Sequence, residues 1–455
     1  MAIIRSISGL RANTDELTKD LIQSYAHAFG IYLSSGSIIV GRDGRPSGAW
    51  MEEIIIETLL DLGHDVISLG IAPTPTVQLE TEHSNAIGGI SITASHNPAE
   101  WNGMKFLNKD GVFLNASENK DFWLILDSHT LLKPSQNRGS LHKLQQVEQR
   151  HIQHVMGALA YHGIKNPQHS VKAVIDAVNA SGSRFAPAML EALNCEAIPL
   201  YCDESGVFPH TPEPLSENLS DLMQEVRKHH ADLGIAIDPD ADRLVLIDEY
   251  GQPIGEEKTI ALCIKSLIEC SSPSAQQAGI ALNLSTSLMS EIIAQNAGWK
   301  TQRTPVGEIN VVESMKEHNC IIGGEGSGGV ILPSCHFGRD SLVGIALVIA
   351  LMKNTGKPLS VLASELPATV MIKGKMPWSG SAVQIFQDIE RHFQTSSVNI
   401  RHDDGLWIGL EQGWIHVRTS NTEPILRYIV EHISEAEAEK HVRALQILIQ
   451  SNCAQ

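Results

Sequence analysis

The sequence predicts an α/β protein with a distinct α+β end, on three observations. A short β-branched or aliphatic run that ends in small polar residues and passes into a helical period occurs three times, at residues 38–47, 173–183 and 280–287. Further strand candidates at 66–69, 87–92, 233–237, 244–247 and 320–322 alternate with helical stretches, which argues for serial α/β units with mainly parallel sheets. The C-terminal part differs. There, runs at 406–410, 414–417 and 425–430 are close-spaced and joined by short polar turns, as in an antiparallel meander, and a helical stretch follows at 435–450.

Polar segments mark the candidate boundaries: 133–140 most clearly, then 248–253 and 358–367. The length of 455 residues suggests about three domains at ~150 residues each. Hydrophobic residues at 42% and charged residues at 19% lie near globular averages, which argues against a disordered or fibrous chain. A net charge of −18, from 52 acidic and 34 basic side chains, disfavours broad nucleic-acid binding, since coating a duplex needs the opposite sign. Small anionic substrates stay open, because a local cluster of Arg and Lys acts over the ~8 Å that physiological salt leaves unscreened.

The cysteines at 195, 202, 263, 270, 320, 335 and 453 form no CxxC pair, so neither a disulfide framework nor a structural zinc site is expected. Reduced cysteines in a cytoplasmic enzyme fit best. The first residues lack the charged and apolar regions of a signal peptide. The longest apolar stretch, 342–352, is too short for a bilayer, where ~20 residues are needed, and reads as a buried helix. No membrane partner is expected.

Four constellations carry chemistry. The first is Thr93-Ala94-Ser95-His96-Asn97-Pro98 with Lys105 beyond it, at the end of an apolar run, where α/β sheets place their ligands. An ordinary Ser/Asn/Pro turn is the bland alternative. Ser95 and His96 are adjacent and no G-x-S-x-G elbow is present, so they do not make a hydrolase triad.

The second is Asp238-Pro239-Asp240-Ala241-Asp242-Arg243 between two apolar runs. Three carboxylates on one turn between apolar strands are costly unless a cation sits there, so a divalent metal is the natural resolution. Asp238, Asp240, Asp242 and Glu249 fall on positions one, three, five and twelve of an EF-hand loop, but Arg243 replaces the required glycine and the flanks read as strands. A solvated acidic turn is the other reading.

The third is Gly323-Gly324-Glu325-Gly326-Ser327-Gly328-Gly329, whose glycines would let backbone approach a ligand while Glu325 and Ser327 meet sugar hydroxyls. It has neither the GxGxxG nor the GK[ST] pattern, which argues against dinucleotide and P-loop binding. The fourth is Arg418-Thr419-Ser420-Asn421-Thr422-Glu423-Pro424, with Arg427 after it. Arginines at both edges of a run of hydroxyls and an amide can ring a phosphate, where an exposed polar turn explains the run but not the arginines.

In this order and spacing the four motifs resemble the α-D-phosphohexomutase family over nearly the whole chain. The resemblance implies four domains around a central cleft: three mixed α/β domains and a C-terminal α+β domain with an antiparallel sheet, at 1–140, 141–252, 253–366 and 367–455. It implies Ser95 as a phosphoserine, Mg²⁺ held by Ser95, Asp238, Asp240 and Asp242, and sugar selection by Glu325 and Ser327. It also implies a substrate-phosphate grip by Arg418, Ser420, Asn421 and Thr422, with Arg11 and Lys105 lining the transfer site; Arg243 and Arg427 are further substrate-binding candidates from the residues themselves. Residues 41–48 and 70–75 match the family's N-terminal scaffold.

The activity so implied moves a phosphoryl group between the 6- and 1-positions of a hexose phosphate through a 1,6-bisphosphate, itself an activator. Phosphoglucosamine or phosphomannose is the expected substrate, and broad phosphoglucomutase activity the alternative. His96 or a neighbour would handle the hydroxyl proton. Two departures stand out: Gly329 occupies a position where many bacterial members have histidine, with His336 as one candidate to replace it, and Ala12 follows Arg11 where glycine is usual. The stretch 323–340 looks more like the archaeal and Bacteroidetes-type branch. A metal-dependent sugar phosphatase and a non-catalytic sugar-phosphate sensor are the competing classes, a monomer or homodimer is expected, and the cleft should be basic within an acidic exterior.

Overall fold

The computed structural model describes residues 3–129, 135–272, 278–419 and 424–453. It contains four sheets in chain order. The first runs Ile4–Ser6, Gly9–Asn13, Trp101–Asn108, Gly88–Ile92, Ser37–Arg42, Asp65–Ile71, Leu141–Lys143. Its last four strands are parallel and the rest antiparallel. The short strand Leu141–Lys143 lies beyond the boundary expected after residue 140, so the first sheet closes on residues assigned to the next domain.

The second sheet is Leu244–Ile247, Leu233–Ile237, Lys172–Asp176, Glu196–Tyr201, and the third is Lys300–Thr304, Gly279–Asn283, Ile322–Glu325, Gly329–Ile331. Each is parallel apart from one antiparallel edge strand, Leu244–Ile247 in the second and Gly329–Ile331 in the third. The three recurrent runs are the strands Ser37–Arg42, Lys172–Asp176 and Gly279–Asn283, each followed by a helix: Gly48–Asp61, Gly182–Ala192 and Leu288–Asn296.

One apolar core runs through the first three sheets, drawing on Ile39, Ile175 and Ile280. At its centre lies the helix Ser341–Thr355, buried from Ser341 to Lys353, packing on Glu257–Cys270, Val147–Tyr161 and Gly182–Ala192. A helix apolar on every face is stable only when surrounded, as the uncharged run 342–352 implied. Among the described residues no helix is long and apolar enough to cross a membrane.

The fourth sheet, Val370–Pro377, Ile425–His432, Gly413–Thr419, Leu406–Leu410, Ser397–Arg401, is antiparallel throughout. It has its own core with the helices Ala382–Phe393 and Glu435–Cys453. Polar contacts tie it to the third unit: Trp407 Nε1 donates to Leu284 O, Val306 N donates to Asp404, and Leu288 N donates to Glu431.

The strand expected at 320–322 is Ile322–Glu325, which places the first glycines of the third motif inside a strand. They answer to packing rather than to a ligand. A Cβ at 323 would lie 2.4 Å from Met315 Sδ, and one at 324 would lie 2.2 Å from Gly329 O.

Candidate active site

Each of the four motifs joins two antiparallel neighbours in a sheet. The serine loop links Gly88–Ile92 to Trp101–Asn108, the aspartate turn Leu233–Ile237 to Leu244–Ile247, the sugar loop Ile322–Glu325 to Gly329–Ile331, and the fourth Gly413–Thr419 to Ile425–His432. Ser420, Asn421 and Thr422 lie outside the described residues.

Ser95 is 1% exposed and held at φ +53°, a left-handed conformation that costs a serine roughly 1–3 kcal/mol. Arg45 offsets that cost. Fully buried, its guanidinium donates to the carbonyls of Ser95 (2.6 Å), Asn97 (2.7 Å), Pro98 (2.7 Å) and Trp101 (3.0 Å). Its Nε pairs with Asp43 at 2.9 Å, and Asp43 also accepts from Thr93 Oγ1 at 2.7 Å. Thr93 Oγ1 in turn receives Ser95 N at 2.8 Å. The loop is thus fixed by its own backbone, leaving the serine hydroxyl available for chemistry.

That hydroxyl donates to Asp238 Oδ2 at 3.3 Å and lies 3.3 Å from His96 Nδ1. Asp238, Asp240 and Asp242 are completely buried, and one carboxylate oxygen from each falls within 4.8 Å of the others. The turn aims them: Ala241 takes φ +55°, and Asp238 Oδ1 accepts Asp242 N and Arg243 N at 3.1 Å.

Asp240 Oδ2 is occupied by Lys105 Nζ (2.6 Å) and Thr74 Oγ1 (2.8 Å), and Asp242 Oδ2 by Arg339 Nη2 (2.7 Å) and Lys105 Nζ (3.3 Å). The second oxygens, Asp240 Oδ1 and Asp242 Oδ1, are buried without a hydrogen-bond partner. Orphaned buried carboxylate oxygens are costly, and two of them on a turn of three buried carboxylates suit the all-oxygen donor set of a hard divalent cation. The residues present fit such an ion.

The electrostatics agree. Burial, then the charges of Asp242 and Asp240, push the Asp238 carboxyl well above its usual range. Burial would do the same to Asp240, but Lys105 and the hydrogen bonds from Lys105 and Thr74 prevail and hold it low. Burial acts to lower Lys105, and the two carboxylates outweigh it, so the ammonium is retained. Burial, with Arg243 and Arg11 adding to it, takes the His96 imidazole down to about 2. A neutral imidazole so weakly basic is a hydrogen-bond partner for Ser95.

Arg11, in the strand Gly9–Asn13, donates to Asn97 Oδ1 at 3.1 Å, and Ala12 beside it is buried in that strand, so no glycine turn is needed there. Arg243 lies 3.8 Å from Glu213, which is also 3.9 Å from His96. Glu325 is buried between Asn283 Nδ2 (2.8 Å), Gly307 N (3.2 Å) and Arg339 Nη1 (2.6 Å). Ser327 sits in the turn that follows. The cations of this centre therefore face carboxylates rather than forming the basic cleft that was expected.

Arg418 and Arg427 are directly paired across adjacent strands, which puts both side chains on one face of the fourth sheet. Like charges set opposite each other are unfavourable unless anionic groups offset them. Arg418, 41% exposed, also contacts Asp404 at 2.8 Å.

Sequence reasoning missed Arg339, Glu308 and the clamping role of Arg45. Arg339 Nε donates to Glu308 Oε2 at 2.9 Å, and Gln78 Nε2 donates to Glu308 Oε1 at 2.9 Å. The one available signal was an arginine in the run 336–340. His336, a candidate for the missing imidazole, is buried elsewhere: its Nε2 and His151 Nε2 lie 3.1 and 2.7 Å from Asp340 Oδ2, and Asp340 caps the helix Ser341–Thr355. Cys335 is close to this group. Contacts of 2.7 and 3.1 Å are hydrogen bonds, shorter than the ~3.3 Å that zinc at 2.0–2.1 Å imposes between tetrahedral ligands.

Known proteins agree with this fold. Three family descriptions match in order: phosphoglucomutase/phosphomannomutase α/β/α domain I over residues 4–130, domain II over 149–251 and domain III over 256–370. A phosphoglucomutase/phosphomannomutase of Thermococcus kodakarensis is 35% identical over 437 residues, 94% of each chain. A probable phosphoglucosamine mutase of Methanopyrus kandleri is 31% identical, covering 96% of this chain and 95% of its own. In fold, the chain is similar to the crystal structure of a phosphoglucomutase/phosphomannomutase family protein from Burkholderia thailandensis, with a TM-score of 0.85 at 24% identity over 99% and 98% of the two chains. The chain belongs to the phosphoglucomutase/phosphomannomutase family, the α-D-phosphohexomutases.

Proposed function

We propose that this phosphohexomutase moves a phosphoryl group between the 6- and 1-positions of a hexose phosphate, with Ser95 as the carrier. The observation that carries this reading is the clamped Ser95 hydroxyl, 3.3 Å from a turn whose aspartates keep two buried oxygens unpaired. A divalent ion on that turn, Mg²⁺ by family resemblance, supplies Lewis-acid stabilisation of charge on the transferring oxygens. Ser95 would join Asp238, Asp240 and Asp242 in holding it.

Phosphorylated Ser95 gives its phosphoryl group to the free hydroxyl of the bound sugar: a sugar P–O bond forms as the serine P–O bond breaks, the hydroxyl proton ends on Ser95 Oγ, and the sugar becomes a 1,6-bisphosphate. The bisphosphate turns over and returns its other phosphoryl group to Ser95. A free 1,6-bisphosphate would activate dephosphorylated enzyme by the same step. Lys105 and Arg11 hold positive charge at the reacting oxygens. Arg418 and Arg427, with Ser420, Asn421 and Thr422, hold the phosphate that is not reacting, Arg243 assists substrate binding, and Glu325 and Ser327 face the sugar hydroxyls.

Phosphoglucosamine or phosphomannose is the favoured substrate, in keeping with the names of the relatives, and a cytoplasmic location belongs to the same reading. Comparing kcat/KM for glucosamine, mannose and glucose phosphates, with inorganic phosphate followed in parallel, tests it. Turnover that yields inorganic phosphate and no isomer would point to a phosphatase instead.

A further inference from the structure

Gly329 stands where many relatives are expected to have histidine, and the structure shows what occupies that space. A Cβ built on Gly329 would lie 2.3 Å from Arg339 Cδ and 3.0 Å from its Cγ. Real Cβ atoms do not approach so closely, so a side chain at 329 and the observed path of Arg339 exclude each other. Arg339 cannot simply swing aside. Its three nitrogens end on three carboxylates: Asp242 of the aspartate turn at 2.7 Å, Glu325 of the sugar loop at 2.6 Å, and Glu308 at 2.9 Å.

The base of the side chain is equally fixed. Its neighbour Asp340 is buried, donates its N–H to Val330 O at 2.8 Å, and accepts from both His151 and His336. Burial acts to lower the Arg339 pKa, the three carboxylates outweigh it, and the guanidinium stays charged.

We propose that Arg339 is a positioning residue that fixes the aspartate turn against the sugar loop, in the volume a side chain at 329 would fill. The proposal rests on the mutase reading above. By taking Asp242 Oδ2, Arg339 leaves Asp242 Oδ1 as the oxygen turned to the metal position. By taking Glu325 Oε2, it sets the sugar-binding carboxylate relative to that same position. A planar fork spans several acceptors where an ammonium is a point charge, so lysine would keep the charge and lose the registration.

The test uses the full chain, with Arg339→Lys, Gly329→Ala, Arg339→Ala and the double variant Gly329→Ala/Arg339→Ala. Mn²⁺ binding is read by electron paramagnetic resonance, kcat and KM separately on whichever of glucosamine, mannose or glucose 6-phosphate the wild type turns over fastest, and folding by Tm. Outer-shell partners of metal ligands are worth roughly 10–100-fold in affinity. Arg339→Lys is therefore expected to weaken Mn²⁺ binding and raise KM by about tenfold or more each. Gly329→Ala is expected to do the same by displacing Arg339, and to add less than twofold in the Arg339→Ala background, where the obstruction is gone.

Arg339→Lys that lowers Tm while leaving Mn²⁺ binding and KM within twofold would reduce Arg339 to a structural ion pair and overturn the proposal. So would multiplicative effects of Gly329→Ala and Arg339→Ala. Should the alanine variant not fold, Arg339→Lys and Gly329→Ala decide the matter alone. Wild type that binds no Mn²⁺, or Asp240→Asn that binds it equally well, would instead overturn the metal assignment on which the proposal stands.

Discussion

Replacing Arg45 by methionine isolates the clamp on the serine loop. Methionine fills much of the volume but removes the bonds to four main-chain carbonyls and the pairing with Asp43. Breaking one partner of a buried ion pair costs about 3–5 kcal/mol, because the remaining charge is left uncompensated. Asp43 softens this, since burial already pushes its carboxyl up and it can take a proton. A net loss of about 3–4 kcal/mol corresponds to a Tm lower by roughly 6–16 °C in a unit of this size.

The effect on activity should exceed the effect on folding. Without the clamp nothing over-determines the left-handed Ser95, and the loop relaxes toward an ordinary turn. A displacement of ~1 Å at a reacting atom costs on the order of 100-fold. Thermal unfolding and rapid-quench measurement of Ser95 phosphorylation by glucose 1,6-bisphosphate, made on the folded variant, read the two effects. A Tm within about 2 °C of wild type, with phosphorylation within threefold, would refute the clamp.

Other consequences are equally open to measurement. Arg418→Ala should weaken binding of hexose phosphate by about 2–3 kcal/mol, the scale of lost charge-assisted bonds, and intact activity would remove this loop from the site. Divalent ion should raise the Tm of the wild type, by about 2.7 kcal/mol of stabilisation at a hundred times Kd, and Asp240→Asn should abolish that rise. Burial, opposed by Lys373, raises the Glu257 carboxyl to about 7. A carboxyl raised on folding contributes stability that is present below ~4.5 and lost as pH rises through about 7, so wild type should lose up to roughly 3 kcal/mol relative to Glu257→Gln between pH 5 and 8. A flat difference in Tm across that range would show that Glu257 ionises freely.

The loops were legible in the sequence because each packs its chemistry into a few consecutive residues flanked by apolar strands. The three recurrent strands and the meander were legible for the same reason, since buried strands write their period into the chain. The strands Val370–Pro377 and Ser397–Arg401 were not anticipated: they are the edges of the fourth sheet, and none of their residues is fully buried. Arg339 was illegible because its role is defined by partners 97, 31 and 14 residues away. Arg45 likewise acts on carbonyls 50 to 56 residues on, and main-chain acceptors leave no mark in a sequence. The glycines of the sugar loop misled in the other direction, since several make room for neighbouring protein atoms.

The most direct measurement is on Ser95 itself: intact-mass analysis with peptide mapping, before and after incubation with a hexose 1,6-bisphosphate and then with excess hexose 6-phosphate. Ser95 as carrier predicts one phosphoryl group, mapped to Ser95, gained from the bisphosphate and lost to the monophosphate, with Ser95→Ala gaining none. Isomerisation that proceeds with no phosphate on Ser95 at any stage would contradict it.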